Sequence, residues 1–161
     1  MAGYGDDAGF QQWASENGYE VSSGTVAAAR QRGSSYIDAV YGERFPGEPA
    51  GGIEQDRSWP RVNATDKWGN AIASDAVPAR VIHASYHAAL QELQSPGSLE
   101  PVVVAAERVK REKVGPLETE YMDGAEGQDA LAASTPLLAA VEGLLEPLLT
   151  PVGGFPAMMV V

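Results

Sequence analysis

The chain contains no cysteine and only two histidines. Without thiols, disulfides, thiolate nucleophiles and cysteine-ligated zinc are all excluded. Positive charge is scarce as well: 11 Lys and Arg stand against 22 Asp and Glu, a formal net charge of −11. Binding to a nucleic-acid backbone gains from cations that neutralise phosphates. This balance argues against DNA binding by the surface as a whole and leaves room only for a local basic patch. No apolar run reaches the roughly 20 residues of a membrane helix. The polar, Gly-rich start of the chain lacks the basic and apolar regions of a signal peptide, so the protein is expected to stay in the cytoplasm where it is made.

What is present suits one compact domain plus extensions: 44% of residues are apolar and 20% charged. Gly and Pro, 18 and 11 in number, cluster and so mark loops and arms around a modest core. Asp6 and Asp7 can cap a short helix whose stripe is Phe10, Trp13 and Ala14, with Gly18 as its stop. A second helix is predicted to start after Ser22 or Ser23 and to end near Tyr41, with Val26, Ala29, Gly33, Ile37 and Val40 on one face. Gly33 in its middle costs about 1 kcal/mol of propensity against Ala, which a close neighbouring element would explain. Residues 45–76 show no period and are expected to be packed down, because they hold Trp59 and Trp68.

A third helix is predicted from a Ser74 or Asp75 cap, with Pro78 in its first turn. Its buried face is Val81, Ile82, Ser85, Tyr86, Ala89 and Leu93; Arg80, His83, His87, Gln91 and Gln94 lie on another. Strands over residues 104–114 and 117–122 then form a long hairpin about Gly115–Pro116. After a small, acidic linker, a last helix is predicted from Thr135 or Pro136 to about Leu149, with Leu137, Val141, Leu144, Leu145 and Leu148 as its stripe and Pro147 kinking its end. The apolar tail ends in Phe155, Met158, Met159, Val160 and Val161. The expected fold is mainly α: a small helical bundle with one long β-hairpin and an extended C-terminal arm. Its divisions are residues 1–101 as helical core with the packed loop, 102–123 as hairpin, and 124–161 as linker, helix and arm. Trp13, Trp59, Trp68, Ile82 and Tyr86 are the expected core anchors.

Catalytic patterns are weak. His83 and His87 have metal-ligand spacing, but Ala84 stands where a metalloprotease needs Glu, and no Cys or carboxylate cluster completes a site. Ser85, between the histidines, points to the buried face, and no nucleophile elbow is present. No catalytic residue, metal or cofactor is expected. The Gly3–Gly5 start resembles a dinucleotide-binding turn, but no strand precedes it and Asp6 and Asp7 would face the pyrophosphate. Arg108, Lys110, Arg111 and Lys113 form the one basic cluster. With Gly115–Pro116 as the tip, Lys113 faces Glu118 and Arg111 faces Glu120, a charge ladder in which each pair contributes about 0.2–1 kcal/mol. The cluster reads either as that ladder, within one chain or across to a second copy, or as a phosphate site.

The order Tyr36-Ile37-Asp38, Ser58-Trp59-Pro60-Arg61, Asp66-x-x-Gly69-x-x-Ile72-x-x-Asp75-x-Val77-Pro78, Val109-Lys110-Arg111-Glu112-Lys113-Val114-Gly115-Pro116-Leu117-Glu118-Thr119-Glu120-Tyr121 and Leu144-Leu145-x-Pro147-Leu148-Leu149 resembles a family of phage proteins often labelled DnaT-like single-stranded-DNA-binding. These look like head–tail adaptors of the phage neck. The resemblance spans Asp7 to Leu149 and implies a structural ring, typically dodecameric, in the virion beneath the portal protein. Its partners would be the portal, neighbouring copies of itself and the next neck protein, with genomic DNA passing through without specific binding. The acidic charge suits such a lumen. Leu144, Leu145, Leu148, Phe155, Met158, Met159, Val160 and Val161 would grip the portal, since an uncharged apolar arm suits a groove or sheet edge on a partner. The alternative is a single-stranded-DNA-binding replication protein carried by residues 108–113.

Overall fold

The computed structural model describes residues 2–21, 25–100 and 138–150, and the backbone of 112–114 and 117–119. About half of these residues are helical, and the chain is mainly α. It divides into one unit made of Met1–Leu99 with Leu137–Val161 and a second made of Glu100–Pro136. The C-terminal helix therefore belongs with the first 99 residues rather than with the linker that precedes it.

Helix α1 (Asp7–Glu16) is capped as its sequence implies, Gly9 N–H donating to the Asp6 carboxylate at 2.7 Å. Its buried residues are Phe10, Trp13 and Ala14. Helix α2 (Val26–Tyr41) packs along α3 (Ala79–Gln94), with Gly33 set against the α3 backbone. A Cβ there would stand 2.6 Å from the Ser85 carbonyl oxygen and 2.7 Å from the Ala89 nitrogen. Small residues on α3 (Ala84, Ser85, Ala88 and Ala89) form the facing wall. Helix α3 starts later than Ser74 or Asp75 would have it. Pro78 is itself the N-cap, at φ −57° and ψ 138°, with no side-chain cap bond. A proline disfavours helical backbone in the residue before it, and residues 73–76 form a separate turn closed by Ala76 N–H donating to the Ala73 carbonyl. Ile82 is only half-buried and packs at the edge of both apolar clusters, so it is less central than expected.

Helix α4 (Ala139–Leu145) runs into a 3₁₀ turn, Glu146–Leu148. It begins after the expected Thr135 or Pro136, and Leu137 lies outside the described residues. Val141, Leu145 and Leu148 are buried against α2 and α3, with Leu145 at 0% exposure, and Leu144 is half-buried. Leu145 and Leu148, expected at a partner contact, are thus buried in the chain's own core. A stripe at four- and three-residue steps on so short a helix has one apolar face, and α3 takes it. Phe155, Met158, Met159, Val160 and Val161 lie outside the described residues.

The long connection is packed down. Strands β1 (Glu48–Pro49) and β2 (Arg61–Val62) pair antiparallel, Glu48 with Val62 and Pro49 with Arg61. The Trp59–Pro60 peptide bond is cis, and Trp59 is buried edge-on to Phe45. Trp68 departs from its expected core position: it is 66% exposed. It sits on a tight turn through Gly69, whose φ is +85°, a conformation glycine adopts without strain. The turn aims the indole away from the apolar cluster that holds Trp59 and Tyr41.

In the second unit, strands β3 (Glu112–Val114) and β4 (Leu117–Thr119) pair antiparallel, with Lys113 opposite Glu118 and Val114 opposite Leu117. This is the expected register. The rest of the long hairpin, with Arg108, Lys110, Arg111 and Glu120, lies outside the described residues.

Candidate nucleic-acid interface

In an acidic chain the cations decide where a phosphate backbone can be held, and the first unit uses its seven internally. Three arginines act as forks for backbone carbonyls. Arg30 donates to the carbonyls of Tyr4 at 3.1 Å and of Gly5, and pairs with Asp7. Arg57 binds the Ala2 carbonyl at 2.9 Å, Ser35 Oγ at 3.0 Å and Asp38 Oδ2 at 3.1 Å. Arg61 reaches four carbonyls, those of Gly47 at 2.7 Å, Pro46 at 2.9 Å, Ser58 at 3.1 Å and Phe45 at 3.3 Å. Burial lowers the Arg61 pKa from its ordinary value. A guanidinium carries five donors in a fixed plane, which is why arginine, rather than lysine, can gather carbonyls from an irregular loop.

The N-terminal strap and the loop meet at one polar node. The Tyr4 hydroxyl donates to Asp38 Oδ1 and accepts from Trp59 N–H at 3.2 Å; Ser58 N–H also donates to Asp38 Oδ1, at 3.2 Å. Burial, with the hydrogen bond to the Asp38 carboxylate, pushes the Tyr4 pKa well up. The other four cations of this unit also have acceptors. Arg32 pairs with Glu92 at 2.8 Å, Arg44 with Glu142 at 3.6 Å and Lys67 with Glu146 at 2.6 Å, and Arg80 reaches the Leu144 carbonyl at 3.4 Å. The remaining four of the 11 cations, Arg108, Lys110, Arg111 and Lys113, belong to the second unit and lie within residues 108–113, where Glu112 is the only acid.

Among the described residues, no group of three His, Asp or Glu stands together with the histidine pair. His87 lies edge-on to Trp13, ring centroids 4.7 Å apart. Burial, followed by the neighbouring His83, lowers its pKa. Ser85 is buried and its hydroxyl donates to the Ile82 carbonyl at 2.7 Å, so it has no access to a substrate.

Sequence reasoning missed the roles of Arg30, Arg57 and Arg61. Their only trace in the sequence is that each is an arginine near Gly, Pro or Ser, a weak signal. It also missed Trp68 as a surface residue. That residue stands beside Lys67, whose ammonium lies 5.0 Å from the indole centroid.

A family model described as "Putative DnaT-like ssDNA binding protein" matches residues 3–161. Neither the curated proteins nor the solved structures yield a match to the chain. The family match corrects the head–tail adaptor reading. The description covering nearly the whole chain is of single-stranded-DNA binding, the function that ranked second on the sequence. The acid excess that weighed against DNA binding is a property of the whole chain, whereas a strand reads charge over about a Debye length, ~8–10 Å at ordinary salt.

Proposed function

The chain belongs to the family of DnaT-like ssDNA binding proteins, and from that premise we propose that it holds single-stranded DNA through Arg108, Lys110, Arg111 and Lys113. The observation that carries this reading is the distribution of positive charge. Every Lys and Arg of the first unit has an internal acceptor, and three arginines are tied to backbone carbonyls. The cations left for a phosphate backbone are concentrated in one short stretch that ends in β3. Opposite Lys113, Glu118 of β4 tempers the affinity, so contact with a strand is weak and strongly salt-dependent. The proposed action is binding.

The test is a salt titration of binding to a labelled oligothymidylate. For single strands, log K falls with log salt with a slope of about −0.7 per phosphate neutralised. Four contacts therefore give a slope of about −2.8 and, between about 50 and 200 mM salt, a loss of roughly 50-fold in affinity. Replacing all four cations by Gln should abolish the binding. A slope that survives the quadruple replacement would overturn the assignment.

A further inference from the structure

Two of the three tryptophans, Trp13 and Trp59, are buried, and Trp68 is not. Its exposure is set by a tight, hydrogen-bonded turn. The Asp66 carboxylate accepts the N–H groups of Trp68 and Asn70 and the Asn70 side-chain amide, each at 2.9 Å. These bonds, led by the Asn70 side chain, hold the Asp66 pKa below its ordinary value. Gly69 N–H closes the turn on the Asp66 carbonyl at 3.0 Å, and Asp66 N–H donates to the Asn70 carbonyl at 3.0 Å. Lys67 ties the turn to the C-terminal helix, its N–H donating to the Pro147 carbonyl at 2.9 Å and its ammonium to Glu146 at 2.6 Å. The indole is thus carried on a braced turn, with a cation at 5.0 Å from its centroid.

The surroundings decide what could cover it. Thr65, Lys67, Gly69, Asn70 and Ala71 are all exposed, so the ring is a lone flat aromatic in a mainly polar turn. Aromatic anchors of protein interfaces sit in packed, desolvated pockets. A nucleobase needs only a flat face to stack on. The geometry points to Trp68 as a stacking platform for a base of single-stranded DNA, with Lys67 kept on Glu146 and bracing the turn beside the ring. Stacking of this kind is tolerant of sequence, since every base has a π-face. The inference rests on the DNA-binding reading above and adds a second type of contact to it.

The experiment uses the full chain, an oligothymidylate as probe, and the variants Trp68→Ala and Trp68→Phe, with circular dichroism as the check on folding. Because the ring is exposed, both variants should fold as the parent does. Trp68→Ala should weaken binding at least about fivefold, the lower end of what loss of one stacked base produces, and Trp68→Phe should fall between. Oligonucleotide should quench the tryptophan fluorescence of the parent chain, and Trp68→Phe should lose that quenching. If the parent binds and Trp68→Ala binds equally well, the stacking role is wrong while the cationic stretch stands. If Trp68→Ala instead dissociates an oligomer and leaves oligonucleotide binding unchanged, the ring covers a second copy and the inference fails. If the parent does not bind the oligonucleotide even at low salt, the DNA-binding reading falls and takes this one with it.

Discussion

Replacing Gly33 by Ala sets two physical effects against each other. In an isolated helix, Gly to Ala is favourable by about 1 kcal/mol. In the folded chain the new methyl would meet the Ser85 carbonyl oxygen at 2.6 Å and the Ala89 nitrogen at 2.7 Å. Both are backbone atoms of α3, so no rotamer change relieves the clash, and the helices must move apart. That separation loosens Val81, Ala84 and Ala88, all at 0% exposure. Overpacking of this kind costs typically about 1–3 kcal/mol, so the clash outweighs the propensity gain and the net change should be destabilising. Gly143 in α4 supplies the control, because a Cβ there meets nothing within 4 Å. The same substitution at that position should stabilise by roughly 0.5–1 kcal/mol. Urea denaturation followed by far-ultraviolet circular dichroism reads both. With slopes of about 1–3 kcal/mol per molar urea, the two midpoints should lie on opposite sides of the parent's. A Gly33→Ala midpoint at or above the parent's would refute the close approach as the reason for the glycine.

Two other outcomes follow from buried polar groups. Tyr4→Phe removes the hydroxyl that joins Asp38 to the Trp59 N–H. It leaves a buried donor without its partner, so thermal melting should show a loss of about 1–3 kcal/mol; an unchanged melting temperature would count against the node. His87 has a folded pKa below its ordinary value, because burial and then His83 disfavour its charged form. Its contribution to stability is therefore complete above the unfolded pKa of about 6.5 and is lost as the pH falls from there towards the folded pKa. Melting temperatures between about pH 7 and pH 5 should fall for the parent and fall less for His87→Gln; parallel curves would dismiss the histidine.

How far the sequence carried the fold depended on whether a local rule or a distant partner set each element. The Asp6 cap, the α2 stripe and the meaning of Gly33 were legible because helical spacing and glycine chemistry act within a few residues. Lys113 opposite Glu118 was legible because the tip at Gly115–Pro116 sets the register. The start of α3 is not legible because two candidate caps, Ser74 and Asp75, stand upstream while Pro78 itself begins the helix. The apolarity of Trp68 points to the core, but the deciding groups, the Asp66 carboxylate and Lys67, act through a turn that no period announces. Leu145 and Leu148 were recognised as one stripe, but a stripe does not say whether its cover comes from the same chain or another. For the interface, the cluster at residues 108–113 was visible at once. The reason it stands apart, the internal engagement of the other seven cations, rests on long-range hydrogen bonds that the sequence does not display.

The carbonyl-binding arginines bear on how this protein would tolerate mutation. Arg30, Arg57 and Arg61 are charged residues in a chain rich in charged residues, and a substitution to lysine at any of them reads as mild. A lysine ammonium has three donors at one point and no planar fork. It could not span the Phe45, Pro46, Gly47 and Ser58 carbonyls that Arg61 holds together. In a saturation scan these three positions should behave like Trp59 or Ile37, intolerant even of like charge. The loop and the N-terminal strap are in this sense cored by hydrogen bonds, and their weak points are cationic rather than apolar.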